Sequence, residues 1–161
     1  RKTISRGLAP GGPIAHCGQM IRAQPGLRCD YRHFTPVTTR WMDNDVFGHV
    51  NNAVYYSLFD TAVTGLLVGA GLLDWRGGAQ VMVVAESGCR YHRSVAFPDP
   101  LTVGLRIARL GGSSVRYNLA VFGDGDDAAA EGFFVHVCVD SATRRPTALP
   151  DAWRTALATF S

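Results

Sequence analysis

"TRWMDNDVFGHVNNAVYYSLFD", residues 39–60, joins a strand-like segment to a long apolar one. From Val54 onward the apolar residues leave little polar surface, which predicts a buried helix from Asn51 or Asn52 to about Gly71. Glycine inside a helix costs about 1 kcal/mol relative to alanine, so a helical stripe of small residues predicts close packing on a sheet. That stripe consists of Ala62, Gly65 and Gly69, with the alternative that Gly69 and Gly71 simply end the helix.

Strand-like segments lie on both sides of this helix. The one before it, residues 32–41, is interrupted by Pro36, which predicts a strand at the edge of a sheet. One long buried helix followed by a meander of antiparallel strands predicts an α+β fold in which a sheet wraps around the helix. The later strands are predicted at residues 79–95, 101–110, 115–123 and 129–140, and a short helix at residues 151–159.

Length and composition indicate one globular domain. With 161 residues, 47% hydrophobic and 18% charged, the chain matches ordinary globular proteins, and we place a single domain at residues 31–161. No apolar run reaches the roughly 20 residues that cross a bilayer. We therefore expect no membrane association and a cytoplasmic location.

The net charge of +3 comes from the N-terminal segment. Residues 1–29 carry five basic residues and no acidic one, whereas the rest of the chain carries 11 basic and 13 acidic residues. A nucleic-acid-binding domain needs a basic face on its folded part, so we expect no nucleic acid partner. Residues 1–30 are rich in glycine and proline and predict a disordered or loosely ordered extension, with a misassigned start or a transit peptide as alternatives.

The four cysteines form no recognisable metal or disulfide pattern. Cys17, Cys29, Cys89 and Cys138 lie far apart, with no CxxC pair and no cysteine and histidine at zinc-finger spacing. We therefore expect free thiols in a reducing compartment, no metal ion and no cofactor.

The polar residues of the opening stretch suit an acyl-transfer site. Gly48 permits a turn with positive φ, and Asn51 or Asn52 can cap the helix. The first turn of a helix presents unpaired N–H groups and a partial positive charge, which can stabilise an oxyanion. A carboxylate beside it could attack a carbonyl or deprotonate a water molecule. In the alternative interpretation, Asp43 and Asp45 only bond within turns and the asparagines only cap.

Three motifs resemble those of a known family. Residues 40–60, "RWMDNDVFGHVNNAVYYSLFD", closely resemble the RxxDxDxxGHVNNxxYxxxFE signature of hotdog-fold thioesterases, in the 4-hydroxybenzoyl-CoA thioesterase-like group of acyl-CoA hydrolases. Residues 86–103, "ESGCRYHRSVAFPDPLTV", are similar to the family's following strand and turn. Residues 135–150, "VHVCVDSATRRPTALP", are similar to its last strand and tail. The resemblance covers residues 32–158.

The resemblance implies a hotdog fold, in which a curved antiparallel sheet wraps around a long central helix. It also implies an acyl-CoA substrate and a homodimer or homotetramer, with the site at the dimer interface near the helix N-terminus. The family's catalytic carboxylate falls on Asp45, acting either as a nucleophile or as a general base. The group that binds the thioester carbonyl falls on Asn52, or on the backbone N–H groups of Asn52 and Ala53.

Other residues of the helix start are further candidates. His49 could orient water or substrate, or it could only pack within the loop. Asp43 is expected to have a structural role in a turn. Of the adjacent Tyr55 and Tyr56, one is expected to line the acyl pocket and the other to lie in the core.

Candidates outside the helix start are less specific. Glu86 and Asp60 are fallback carboxylates, for which exposed or paired roles are favoured. No Walker loop or GxGxxG motif is present, so contacts with the CoA phosphates would be scattered, and an ordinary surface role remains the alternative for each. The candidate CoA contacts are His92, Arg93, Arg109, Ser113 and Ser114.

Hydrolysis of an acyl-CoA thioester is the favoured function. The alternatives are a thioesterase that acts on acyl-carrier protein and a hotdog module that binds an acyl thioester without cleaving it. Asp45 favours an enzyme, because a binding module does not need that carboxylate. Hotdog dehydratases use a histidine within a different signature and would leave Asp45 without a role.

Overall fold

Five antiparallel strands and one long helix dominate the structure, a computed structural model that describes residues 24–74 and 77–161. In chain order the elements are β1 (His33–Val37), α1 (Asn52–Gly69), β2 (Gln80–Tyr91), β3 (Leu101–Leu110), β4 (Ser114–Phe122), β5 (Ala130–Asp140) and α2 (Asp151–Ala158). Short 3₁₀ turns lie at Arg28–Asp30 and Trp41–Asp43. No helix among the described residues is long and apolar enough to cross a membrane.

The strands form one antiparallel sheet in the order β1-β3-β4-β5-β2. Strands β3, β4 and β5 follow one another as a meander, and β1 and β2 form the two edges. Pro36 lies in β1, where an edge position tolerates its missing N–H. The predicted α+β layer and edge strand are confirmed. Strand β1 nevertheless ends at Val37 instead of residue 41, because the chain turns there towards the Trp41–Asp43 turn.

Helix α1 packs across the inner face of the sheet, but two of its small residues take no part in this packing. Ala62 is fully buried, whereas Gly65 and Gly69 are exposed, with no atom within 4 Å of where a Cβ would stand. The prediction that these two glycines bring the helix onto the sheet is therefore wrong, whereas the alternative that Gly69 ends the helix agrees with the structure, in which Gly69 is the last residue of α1. The glycine that permits close approach is Gly132 of β5, where a Cβ would overlap the ring of Phe59.

Part of the segment assigned to the N-terminal extension contacts the domain. Gly26 O accepts a hydrogen bond from Ala128 N at 2.9 Å. Arg28 Nη2 donates to Gly123 O at 2.9 Å, and its guanidinium lies 4.8 Å from the centre of the Phe122 ring. Contacts with the domain therefore begin before residue 31. The remainder of the proposed extension, residues 1–23, lies outside the described residues.

The cysteines in the described part of the chain are unpaired. Cys29 is exposed, Cys89 is half-buried and Cys138 is buried, and all three are free thiols. Burial raises the pKa of both Cys89 and Cys138, which keeps these thiols protonated at neutral pH. Cys17 lies outside the described residues.

Two buried polar side chains inside the fold have no hydrogen-bond partner among the described residues. They are Tyr117 on β4 and His136 on β5, whose rings meet edge to face with their centroids 5.0 Å apart. His136 also stacks on Phe134, at 5.8 Å between centroids. Burial lowers the pKa of His136, and the negative charge of Asp60 only partly opposes that shift. The folded protein therefore holds His136 neutral at neutral pH.

Replacing His136 with phenylalanine is expected to stabilise the protein and to flatten its pH dependence. An unpaired buried polar group costs about 1–3 kcal/mol, which His136→Phe removes while keeping a ring at that position. In the parent, His136 has its ordinary pKa of 6.5 when the chain is unfolded and a lower pKa when it is folded. Below pH 6.5 the unfolded chain therefore binds a proton more readily than the folded protein, and the free energy of unfolding falls as the pH drops. Urea unfolding of both proteins at about pH 7 and pH 5.5 measures this. An equal loss of stability in parent and variant would contradict it.

Candidate active site

The loop between β1 and α1 is held at its base by Asp43. This carboxylate is buried and accepts hydrogen bonds from Arg40 backbone N at 2.7 Å, Nη2 at 2.8 Å and Nε at 3.1 Å. These bonds keep the pKa of Asp43 below its usual range, although burial opposes the shift. The carbonyl oxygen of Asp43 also accepts from Asn51 N at 2.8 Å. These contacts match the structural role expected for Asp43.

Asp45 lies in the tight turn that this base supports. Its backbone N donates to His49 O at 2.9 Å, and its carbonyl accepts from Gly48 N at 3.0 Å. Gly48 has a φ of +80°, a conformation that disfavours residues with a side chain. One carboxylate oxygen, Oδ1, accepts from Phe47 N at 2.8 Å, while Oδ2 has no protein partner in the described part of the chain. One carboxylate oxygen of Asp45 is thus available to a ligand.

Helix α1 starts beside this carboxylate. Asn51 is the N-cap, and its Oδ1 accepts from Ala53 N at 2.9 Å, so the amide of Ala53 is already bonded. Asn52 is the first helical residue, and its amide has no hydrogen-bond acceptor among the described residues. Of the two amides proposed to bind a carbonyl, only that of Asn52 is therefore free of a protein partner. Tyr91 OH donates to Asn52 O at 3.1 Å and ties the helix start to β2.

A cavity of about 340 Å³ opens where the loop, the helix start and the end of β2 meet. Its volume is in the range of small-molecule sites. A larger cavity, of about 470 Å³, lies elsewhere on the sheet but contains neither Asp45 nor the helix start. The smaller cavity is therefore the one that contains the groups predicted for acyl transfer. It is lined by Asp45, His49, Val50, Asn52, Tyr55, Tyr91, His92, Arg93 and Ser94.

The two tyrosines of the helix start divide between the cavity and the core. Tyr55 is buried and lines the cavity, where its ring meets that of Tyr91 edge to face at 5.1 Å. Burial raises the pKa of Tyr55 and keeps its hydroxyl protonated. Tyr56 is not among the lining residues and packs instead against Phe59 and Phe134. Tyr91 was missed by sequence reasoning, although strand alternation from Cys89 would have placed it on the helix side.

Two of the proposed CoA contacts reach the cavity. His92 and Arg93 follow the end of β2 and line it. His92 Nε2 lies 2.8 Å from Glu131 Oε2, and Arg93 Nη2 donates to Asp127 O at 3.4 Å. The fallback carboxylates, Glu86 on β2 and Asp60 on α1, are exposed and do not line the cavity.

The other proposed CoA contacts lie far from the cavity within one chain. Asn44 Oδ1 accepts from Phe97 N at 3.1 Å, which places the loop between β1 and α1 near the start of β3. Arg109 is near the opposite end of that strand, roughly 25 Å away at 3.4 Å per residue. Ser113 and Ser114 are in the hairpin that follows. The structure therefore does not bring these three residues together with Asp45.

No group of three or more His, Cys, Asp or Glu residues in the ranges 24–74 and 77–161 is placed to hold a metal ion. The lining residues supply one carboxylate, two tyrosine hydroxyls, a serine hydroxyl, a guanidinium and two imidazoles, and the helix start at Asn52 lies among them. A carboxylate beside a free helix amide is suited to attack on a carbonyl whose oxygen becomes negatively charged.

Comparison with known proteins identifies the family. The model of the thioesterase-like superfamily matches residues 37–157, most of the chain. The chain belongs to the thioesterase-like superfamily. Members of this superfamily hydrolyse thioesters, so the protein is a thioester hydrolase.

The chain is also similar to individual relatives and solved structures. The PA5185 protein of Pseudomonas aeruginosa is 49% identical, with a TM-score of 0.83 over 86% of this chain and 97% of its own. A Thermus thermophilus thioesterase, solved with coenzyme A and zinc, is 34% identical, with a TM-score of 0.68 over 78% and 92% of the two chains. The long-chain acyl-CoA thioesterase FadM of Escherichia coli is 26% identical over 71% of this chain and 89% of its own. The hotdog fold is confirmed.

Proposed function

We propose that this protein hydrolyses acyl-CoA thioesters to CoA and a free carboxylic acid. One observation carries the proposal: the same cavity is lined by Asp45, which has one carboxylate oxygen without a partner, and by Asn52, whose backbone amide has no acceptor among the described residues. Two relatives support CoA as the carrier of the acyl group, since FadM is an acyl-CoA thioesterase and the Thermus thermophilus thioesterase was solved with coenzyme A.

In the proposed reaction, Asp45 supplies the electron pair and the start of α1 accepts the developing charge. Acting as a base, Asp45 takes a proton from water, and the water oxygen attacks the thioester carbonyl carbon. The carbonyl oxygen becomes an oxyanion that accepts a hydrogen bond from Asn52 N–H at the positive end of the helix. The C–S bond then breaks, the acid is released, and the CoA thiolate takes up a proton. Direct attack by Asp45, through an anhydride that water then cleaves, uses the same two groups.

We further propose that the active form is a homodimer, alone or within a homotetramer. Large apolar side chains of the loop between β1 and α1 are exposed in the single chain, and clusters of this kind mark interaction surfaces. The adjacent strand β2 is an edge of 12 residues with one unpaired side. A second copy would cover the loop and complete the cavity beside Asp45. The exposed residues are Trp41 (80%), Met42 (75%), Val46 (94%) and Phe47 (79%).

Asp45→Asn is expected to lower kcat about 10²- to 10⁴-fold, the usual contribution of a general base. The substituted amide keeps an oxygen that can accept from Phe47 N–H, so the turn and the stability are retained. Free-thiol release is measured with short, medium, long and aromatic acyl-CoAs and with an acyl-carrier protein thioester. Asp60→Asn and Glu86→Gln, which change exposed carboxylates, are the matched controls.

Four results would contradict this proposal. Asp45→Asn could hydrolyse acyl-CoA as fast as the parent, or one of the two control variants could be the inactive one. The parent could also bind acyl-CoA without turning over any of the substrates. Turnover of the carrier-protein thioester alone would assign the activity to that substrate instead of acyl-CoA.

Light scattering of the purified protein is expected to give the mass of a dimer or tetramer of the 17.4 kDa chain. The double variant Val46→Asp/Phe47→Asp places charge on the exposed loop and is expected to yield folded monomers with little activity. Val68→Asp, at an exposed valine near the far end of α1, is the control and is expected to keep the oligomer. A parent that is monomeric and fully active would refute the shared site.

A further inference from the structure

A second cavity, of about 470 Å³, lies on the outer face of the sheet. Its floor is one cross-strand row, Gly88, Phe133, Asn118 and Arg106, taken from β2, β5, β4 and β3. These residues alternate with buried ones that pack under α1, so they face away from the helix. Gly88 makes the cavity possible, because the ring of Phe133 lies 2.6 Å from where a Cβ would stand. We call this cavity the outer groove.

Three arginines line the outer groove, one each from β2, β3 and β4: Arg90, Arg106 and Arg116. None of them forms an ion pair with a carboxylate of the described residues. The guanidinium of Arg116 is stacked on the Phe133 ring, 3.9 Å from its centre, and that of Arg106 lies 6.0 Å from the centre of the Tyr31 ring. Stacking holds these guanidiniums in place and leaves their N–H groups available for a ligand.

Glu131 is the one acidic residue that lines the groove, and it is already bonded. It accepts from Tyr31 OH at 3.2 Å, and its other oxygen lies 2.8 Å from His92 Nε2. Burial, together with the negative charge of Glu131, raises the pKa of Tyr31, so its hydroxyl remains a donor. The outer groove therefore keeps an excess of positive charge, which favours an anionic ligand.

The outer groove adjoins the cavity that contains Asp45, which we call the catalytic cavity. His92 lines the catalytic cavity, while its partner Glu131 lines the groove. Arg90 and Tyr91 are neighbours in the edge strand β2, so their side chains point to opposite faces of the sheet, Arg90 into the groove and Tyr91 into the catalytic cavity. An elongated ligand whose reacting end lies beside Asp45 could thus pass around this edge and place its other end among the arginines.

We propose that the outer groove binds the phosphorylated nucleotide end of the CoA substrate. This inference rests on the proposed function, because CoA joins a thioester to several phosphate groups. Arginine forks match phosphate oxygens, and the volume and concave shape suit a small molecule. A second copy of the chain docked by this face would bring like charges together, which disfavours that occupant. The groove thus replaces Arg109, Ser113 and Ser114 as the principal phosphate contacts within one chain.

The test compares the parent with Arg106→Gln and Arg116→Gln. Arg145→Gln, which removes the same charge beyond the far end of β5, is the matched control. Calorimetry measures binding of adenosine 3′,5′-bisphosphate and of pyrophosphate. Kinetics measures KM and kcat for an acyl-CoA and for the corresponding acyl-pantetheine, which lacks the nucleotide.

Each groove variant is expected to weaken binding of the bisphosphate about tenfold or more, the usual effect of losing a charged hydrogen bond. KM for acyl-CoA rises by a similar factor, with kcat unchanged, while KM for acyl-pantetheine stays the same. The Arg145→Gln control matches the parent throughout. Pyrophosphate binds more weakly than the bisphosphate, because it lacks the adenosine.

Three outcomes would overturn the inference, and a fourth would overturn only the proposed function. Unchanged bisphosphate affinity and unchanged KM in both groove variants would do so while leaving hydrolysis of acyl-CoA intact. An equal rise in KM for both substrates would show that the loss does not depend on the nucleotide. Groove-dependent binding of pyrophosphate as tight as that of the bisphosphate would assign the site to free phosphate compounds. If the parent hydrolyses no acyl-CoA but binds the bisphosphate through the arginines, the proposed function fails and the anion site stands.

Discussion

The buried carboxylate of Asp43 is the contact on which the proposed site depends. It ties Arg40 to the start of the loop, and its carbonyl receives the amide of Asn51 at the start of α1. The chain therefore leaves β1, turns and enters the helix with both ends of the loop joined to one residue. A carboxylate so buried is stable only with such partners, because an unpaired buried charge is costly. Asp43 thereby supports the turn that holds Asp45 and does not itself line the cavity.

Architecture and proposed chemistry share the same few residues at the helix start. Asn51 caps the helix by taking the amide of Ala53, and this leaves the amide of Asn52 without a protein partner beside Asp45. Asp45 likewise gives one oxygen to the turn and keeps the other for a ligand. In the proposed site, capping and catalysis are therefore compatible, because the hydrogen bonds of the cap and the turn leave one amide and one carboxylate oxygen without a partner among the described residues.

Local patterns in the sequence predict most of the fold, whereas contacts between distant strands escape them. The α+β layer was predicted from patterns among neighbouring residues. These are the apolar period of α1, the strand pattern that begins at Val115 and the break at Pro36. The register between strands could not be predicted in this way. The residues next to Arg90, Arg106 and Arg116 in the sequence do not show that these three arginines line one groove. Exposure of helix glycines is equally non-local, which is why the small-residue stripe was misassigned. The family signature located the residues of the loop, but only the structure shows which of their atoms are hydrogen-bonded and which are free.

The most direct test of this account is a crystal structure of the Asp45→Asn variant with an uncleaved acyl-CoA bound. The thioester carbonyl oxygen is expected within hydrogen-bond distance of Asn52 N–H, with the side chain at position 45 facing the carbonyl carbon or a water molecule beside it. A thioester bound away from the start of α1, or a carbonyl held by other donors with position 45 turned aside, would contradict the account.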